Sequence, residues 1–335
     1  MRLTDFKQRR KNMKKKVLAA LFAAVMACSL MAGCGSTSSA PAAAEEKTEE
    51  ATEETQMEEA GAETTRNGAA ATESASAETA PAEEEEVELQ VFIAASLNNC
   101  MQEVAARYNE EHPNVKIVFN ADSSGKLLTQ IEEGYACDVF FSAAQKQMNT
   151  LEEDGLVVEG TRADVVNNQV VVIKRKDTES AVTDLETLGK ASSIAMADGS
   201  VPVGRYTRTA LMNLGILAEV EDASVYTTAE VSEALGGVEI SEQGNVSQVL
   251  TAVAEGSCEV GTTYYSDTYG YEGQIEIIET VSYDLTGNVI YPVCQVVNDE
   301  ATDAQKAAAA DFVSFITSDT AKEIFASYYF DTDLQ

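Results

Sequence analysis

Ser96 stands where one backbone pattern ends and another begins. The residues before it alternate, with Val87, Leu89, Val91 and Ile93 on one face, as in a strand. After Ala94-Ala95-Ser96-Leu97 the spacing turns helical, and Leu97, Met101, Val104, Ala105 and Tyr108 share one side. A Ser at that junction lies at a helix N-terminus. The first N–H groups there have no acceptor in the helix, and the macrodipole favours an anion. The same order returns at 115–134. A strand VKIVFN runs into Ala121-Asp122-Ser123-Ser124-Gly125, and then Leu127, Leu128 and Ile131 precede Gly134. One such junction is an ordinary helix cap; two in one chain point to anion binding.

Other chemistries find little support. His112 is the one histidine; it precedes Pro113 at a helix end with no nucleophile motif near it. A catalytic triad or a multi-His metal site would have to be built on that residue, and no G-x-S-x-G elbow occurs. Catalysis is therefore not expected. Of six cysteines, Cys28 lies in a leader, and Cys100, Cys137, Cys258 and Cys294 each sit in an apolar run without C-x-x-C spacing. Buried free thiols are the expectation for these four, although an exported location permits disulfides. Asp138 and Asp267 read as caps or contacts between elements, not as an acid/base pair.

The elements that must position Ser96 and Ser124 recur along the chain. Short strands are expected at 137–142, 168–174, 193–196 and 259–264, with an extended stretch at 289–297. Helices are expected at 145–153, 205–214, 246–255, 304–318 and 321–328. The near-continuous run at 168–174, NQVVVIK, suits a strand buried on both faces. Alternation of this kind predicts an α/β fold with parallel sheets, in two lobes with a cleft at the strand C-termini.

The first 86 residues read differently. Residues 1–34 hold eight basic residues and one acidic one; an apolar run at 17–32 follows the basic cluster and ends at Gly33-Cys34. This is a signal-peptide pattern, too short for a dedicated spanning helix, and Met13 could equally begin it. The ending Leu30-Met31-Ala32-Gly33-Cys34 resembles the lipobox of bacterial lipoproteins, with Met31 where Leu is more usual. That implies lipidation of Cys34 and an extracytoplasmic, membrane-anchored protein. Residues 35–86 collapse to Ala, Glu, Thr and Ser, with 15 Glu against Lys47 and Arg66. A segment so poor in apolar bulk cannot offset its ordering entropy, so it reads as a self-repelling tether. Of the net charge of −33, about −27 remains on residues 87–335, which argues against nucleic acid and anionic membrane surfaces as partners.

Residues 87–330 resemble the substrate-binding proteins of molybdate ABC importers. Six pieces match in order: VFIAASL at 91–97, SSGKLLTQIEEG at 123–134, DVFFSA at 138–143, SVPVGRY at 200–206, NV at 245–246 and GTTYYSD at 261–267. The resemblance implies a two-lobed periplasmic-binding-protein fold of type II that closes on one tetrahedral oxyanion, molybdate or tungstate, with no further cofactor. It implies lobes at 87–168 with 291–335 and at 169–290, joined near Asn168 and again at 281–291. Its partners would be an ABC permease and ATPase, and the protein would be a monomer. Carried over, the ligand contacts are Ser96 and Ser124 on one lobe and Val203, Val246 and Tyr264 on the other. The two valines, one standing where the family more often has Ala, would serve through backbone N–H. Tyr265 is the alternative to Tyr264, but strand alternation sends the two side chains to opposite faces.

Hydroxyls and helix-start N–H groups suit an acceptor-only dianion. Six or seven charged hydrogen bonds at roughly 1.5–3 kcal/mol each leave room for micromolar or tighter binding after desolvation and closure. Discrimination from sulfate would rest on pocket size. Asp122, which could accept a proton from hydrogen phosphate, is expected to face solvent or cap the next helix, and Arg205 to be exposed. The alternatives are a binder of sulfate or phosphate, or a surface sensor or adhesion domain.

Overall fold

The computed structural model describes residues 86–334. The leader, Cys34 and the Ala/Glu-rich segment lie outside them. Within the described residues, no helix is long and apolar enough to cross a membrane.

Two five-stranded sheets organise the chain. The first has the order β2-β1-β3-β10-β4, from Val115–Asp122 (β2), Val87–Ala94 (β1), Val139–Phe141 (β3), Tyr291–Gln295 (β10) and Ala163–Val166 (β4). The second has the order β7-β6-β8-β5-β9, from Glu239–Gln243 (β7), Ser193–Ala197 (β6), Val260–Tyr264 (β8), Val170–Arg175 (β5) and Ile275–Thr280 (β9). The chain passes to the second sheet between Val166 and Val170 and returns between Thr280 and Tyr291. This is a two-lobed fold of the periplasmic-binding-protein kind.

The sheets are mixed where parallel ones were expected. β1 runs parallel to β2 and β3, and β6 to β7 and β8. β10 is antiparallel to β3 and β4, and β5 to β8 and β9. β5 and β10 are the strands that carry the chain from one lobe to the other. Neither arrives through a helical crossover on its own sheet, the connection that parallel pairing needs.

The helices are α1 (Asn98–Asn109), α2 (Ser124–Glu133), α3 (Gln145–Glu153), α4 (Pro202–Asn213), α5 (Thr228–Ala234), α6 (Val246–Ala254), the single turn α7 (Tyr283–Thr286), α8 (Asp303–Ile316) and α9 (Asp319–Ser327). Alternation along β1 sorts the first lobe's core. Leu89, Val91 and Ile93 join Met101 and Val104 of α1, Phe312 of α8 and Phe325 of α9. Phe92, with Phe140 and Cys294, faces Leu127 and Ile131 of α2 and Met148 and Leu151 of α3. Val170 to Ile173 of β5 are fully buried, in keeping with their unbroken apolar run. Cys100, Cys137, Cys258 and Cys294 are free and buried.

One helix starts earlier than expected, with a consequence for the site. α4 begins at Pro202, not at Arg205, because Pro suits the first helical position. The V-P-V-G stretch is thus the helix's first turn. Gly204 is required there: a Cβ on it would lie 2.1 Å from the Asp198 carbonyl.

Candidate oxyanion site

Each residue singled out for anion binding lies at the start of a helix or the end of a strand. Ser96 sits in a short 3-10 turn, Ala95–Leu97, between β1 and α1. Ser124 opens α2, where Ser123 caps the Lys126 N–H at 3.5 Å. In α4, Pro202 has no N–H, so Val203 presents the helix's first one; Arg205 is the first to bond back, to Val201 at 3.0 Å. In α6, Asn245 caps Gln248 at 3.0 Å and leaves the N–H of Val246 at the helix mouth. Tyr264 ends β8. The tertiary fold brings all five around one small cavity, of about 10 Å³, between the lobes. Three helix N-termini therefore converge on it from the two lobes, without a carboxylate among the lining residues.

The hydroxyls are arranged as donors. Ala143 N–H donates to Ser124 Oγ at 2.9 Å, so the Ser124 proton is left for the cavity. Ser96 Oγ lies 2.9 Å from Tyr291 Oη. Asn168 Nδ2 in turn donates to Tyr291 Oη at 3.2 Å and to Ser266 Oγ at 2.8 Å. The Asn168 amide is oriented by its Oδ1, which accepts the Gln169 N–H at 2.9 Å and the Ser266 N–H at 3.4 Å. With Tyr291 accepting from Asn168, its own proton is directed to Ser96, and the Ser96 proton is free for a ligand. Tyr264 Oη is buried and has no hydrogen-bond partner among the described residues. Burial, and then the nearness of Tyr291, pushes the Tyr264 phenol well above its ordinary value, so it remains a donor. Its ring meets Tyr291 edge-on at 5.9 Å. Tyr264 is 1% exposed, whereas Tyr265 is 37% exposed and packs against Tyr329.

Two residues stand differently from expectation. Asp122 is partly exposed and does not line the cavity, but the cap of α2 is Ser123. Asp122 Oδ1 accepts from Ser123 N at 2.7 Å, Lys126 Nζ at 3.4 Å and, across the cleft, Asn245 Nδ2 at 3.3 Å. Arg205 is half-buried, not exposed: its guanidinium lies 5.2 Å from the Tyr206 ring centre and its Nε is buried without a hydrogen-bond partner among the described residues. The lobes approach closely beside them. A Cβ on Gly125 would fall 2.8 Å from the Ser200 carbonyl oxygen, too near for any side chain there without a shift.

Several supporting residues carried no local signal. Arg208 of α4 is fully buried and donates to the carbonyls of Ala197, Gly204 and Tyr226 at 2.8–2.9 Å. It ties the end of β6 to the first turn of α4, which holds Val203. Asp267 accepts from Thr263 Oγ1 at 2.7 Å and from the Tyr264 N–H at 3.1 Å, and burial pushes its carboxyl up to about 6. Asn168, Tyr291 and Ser266 make up the relay behind Ser96. Among the described residues no group of three or more His, Cys, Asp or Glu could hold a metal ion.

The model of the family described as bacterial extracellular solute-binding protein matches residues 89–331. The chain belongs to that family. Solute-binding proteins are receptors and not enzymes. Within the family, the chain is 30% identical to a molybdate-binding protein of Escherichia coli over 73% of this chain and 90% of that one. It is 29% identical to a molybdate-binding protein of Haemophilus influenzae, over 72% and 88% of the two chains. A solved periplasmic molybdate-binding protein of Azotobacter vinelandii shares the fold, with a TM-score of 0.60 and 18% identity over 73% of this chain and all of the other.

Proposed function

We propose that this solute-binding protein captures molybdate or tungstate as the intact oxyanion and delivers it to an ABC importer. The observation that carries the reading is a buried cavity offering the hydroxyls of Ser96, Ser124 and Tyr264 and the helix-start N–H groups of Val203 and Val246, lined by no carboxylate. Such a site matches an anion that only accepts hydrogen bonds. The relatives named as molybdate-binding proteins support the choice of ligand. Hydrogen phosphate would need an acceptor for its proton, and Asp122, the nearest candidate in sequence, is engaged outside the cavity. Sulfate has the same charge and hydrogen-bond pattern as molybdate, so its exclusion rests on size.

The lobes, 87–168 with 291–335 and 169–290, close on the anion, and the closed form is what the permease and its ATPase recognise. In this reading no cofactor takes part. Cys34 carries the lipid that anchors a monomer outside the cytoplasm, and residues 35–86 are the tether that lets the body reach its permease. The basic-then-apolar leader and its Ala32-Gly33-Cys34 ending support the anchor.

Calorimetric titration of the purified protein with molybdate, tungstate, sulfate and phosphate at fixed salt and pH tests the reading. One-to-one binding of the two larger anions with the other two silent is expected. Binding of sulfate or phosphate alone would replace the ligand, and silence from all four would remove anion capture as the function.

A further inference from the structure

Outside the cavity lining, a second set of contacts joins the lobes. Lys146, in the first turn of α3 on the first lobe, reaches residues on the second. Its Nζ lies 2.5 Å from Asp222 Oδ2 and 3.0 Å from Ser224 Oγ. Asp222 caps the short turn Ala223–Val225, where it accepts the Ser224 N–H at 3.1 Å. Burial opposes ionisation of Asp222, but Lys146 and Ser224 outweigh it and hold the carboxyl at about 2. The Asp222 carboxylate is therefore ionised at neutral pH.

What this turn rests on gives the contact its meaning. The Ser224 carbonyl oxygen would be 2.5 Å from a Cβ on Gly199, and Gly199 precedes Ser200, whose own carbonyl abuts Gly125 of the first lobe. Residues 198–201 lead directly into α4, which presents Val203 to the cavity. A pull from Lys146 on the Asp222–Ser224 turn thus bears on the segment that positions Val203.

We propose that Lys146 and Asp222 form an electrostatic clasp that holds the cleft closed over the anion, making both positioning residues for a ligand they do not touch. The inference rests on the anion-capture reading and adds to it a source of affinity outside the cavity. The side chains are 43% and 35% exposed, so the pair is partly screened and its effect is modest. The clasp acts mainly on the dissociation rate, because it forms once the lobes have met.

The test is a charge-reversal cycle on the full chain, with molybdate as the probe. Lys146→Gln should weaken binding about two- to fivefold at low salt. Lys146→Asp should weaken it further, and Lys146→Asp combined with Asp222→Asn, which keeps an Oδ1 for the Ser224 N–H and removes the repulsion, should recover affinity to the level of Lys146→Gln, all with unchanged thermal unfolding of the anion-free protein. At 1 M salt, where the screening length is about 3 Å, the difference between wild type and Lys146→Gln should vanish. Equal affinities and dissociation rates for wild type and Lys146→Asp, or failure of the Lys146→Asp, Asp222→Asn double variant to recover, would overturn the clasp. If wild type binds none of the oxyanions, the capture reading fails. The clasp is then judged by small-angle scattering: a larger radius of gyration for Lys146→Asp, recovered by the double variant with Asp222→Asn, supports it, and identical radii overturn it.

Discussion

Ala143 donates its backbone N–H to Ser124 Oγ over 2.9 Å, so the end of β3 and the start of α2 are joined through the hydroxyl that faces the cavity. The bond uses the oxygen as an acceptor and leaves its proton to be given away. Ser124→Ala would remove that donor and also leave a buried N–H without a partner. We expect a loss of about 1–3 kcal/mol in stability and at least tenfold in anion affinity, read by denaturant unfolding and calorimetry. Combined with Ser96→Ala, the affinity loss should deepen; unchanged affinity in the double variant would refute the assignment of both serines.

Tyr264 offers the opposite signature. Its hydroxyl is buried with no hydrogen-bond partner among the described residues, a condition that costs free energy. Tyr264→Phe should therefore leave the unfolding midpoint unchanged or raise it. A hydrogen bond to a charged group contributes about 1.5–3 kcal/mol, so affinity should fall about 10- to 150-fold. A parallel loss of stability and affinity would mean that the phenol has a structural role instead.

Arg208 is expected to matter for stability first and binding second. Arg208→Met fills much of the space but takes the side-chain donors away from the carbonyls of Ala197 and Tyr226, while Gly204 keeps its helical N–H partner. Each buried group that loses its donor costs about 1–3 kcal/mol, so a loss of roughly 2 kcal/mol or more is expected in urea unfolding. Weakened anion binding should accompany it, because the first turn of α4 loses its tie to β6.

Asp267 should make stability pH-dependent. Burial raises its carboxyl from 3.8 to about 6, which means that the fold binds the proton more tightly than the unfolded chain does. The stabilisation is fully present below about pH 3.8 and is lost as pH rises through about 6, by at most about 3 kcal/mol. Asp267→Asn should flatten this part of the profile of unfolding free energy between pH 4 and 7. An unaltered profile in the variant would assign the dependence to other groups.

Gly125 tests closure by bulk alone. A Cβ there would meet the Ser200 carbonyl at 2.8 Å, so Gly125→Ala should hinder the lobes from closing while leaving each lobe folded. Affinity should fall with the unfolding midpoint nearly unchanged, and scattering should report a more open molecule in the presence of molybdate.

Much of the site was legible because its parts are local. A strand that ends in small and hydroxyl residues and restarts as a helix can be read over a dozen positions, and both β1-to-α1 and β2-to-α2 follow that pattern. Alternation along β8 separated Tyr264 from Tyr265 in the same way. The start of α4 was misplaced by three residues because Pro202 and Gly204 look like a loop until the first turn is recognised as one that uses Pro where no N–H bond is needed.

The chain by itself determined where strands give way to helices, which hydroxyls sit at those junctions and that its body is too acidic for an anion site to depend on net charge. Those features follow from period, propensity and composition, which act between near neighbours. Tertiary structure decided what depends on distant partners: the antiparallel placement of β5 and β10, the relay from Asn168 through Tyr291 to Ser96, the reach of Asp122 to Asn245 and the pairing of Lys146 with Asp222. Residues 70 to 200 positions apart meet only after two sheets have formed and faced each other. Local pattern carries no record of that meeting, because the contact free energy is realised only once the loop closure between them has been made.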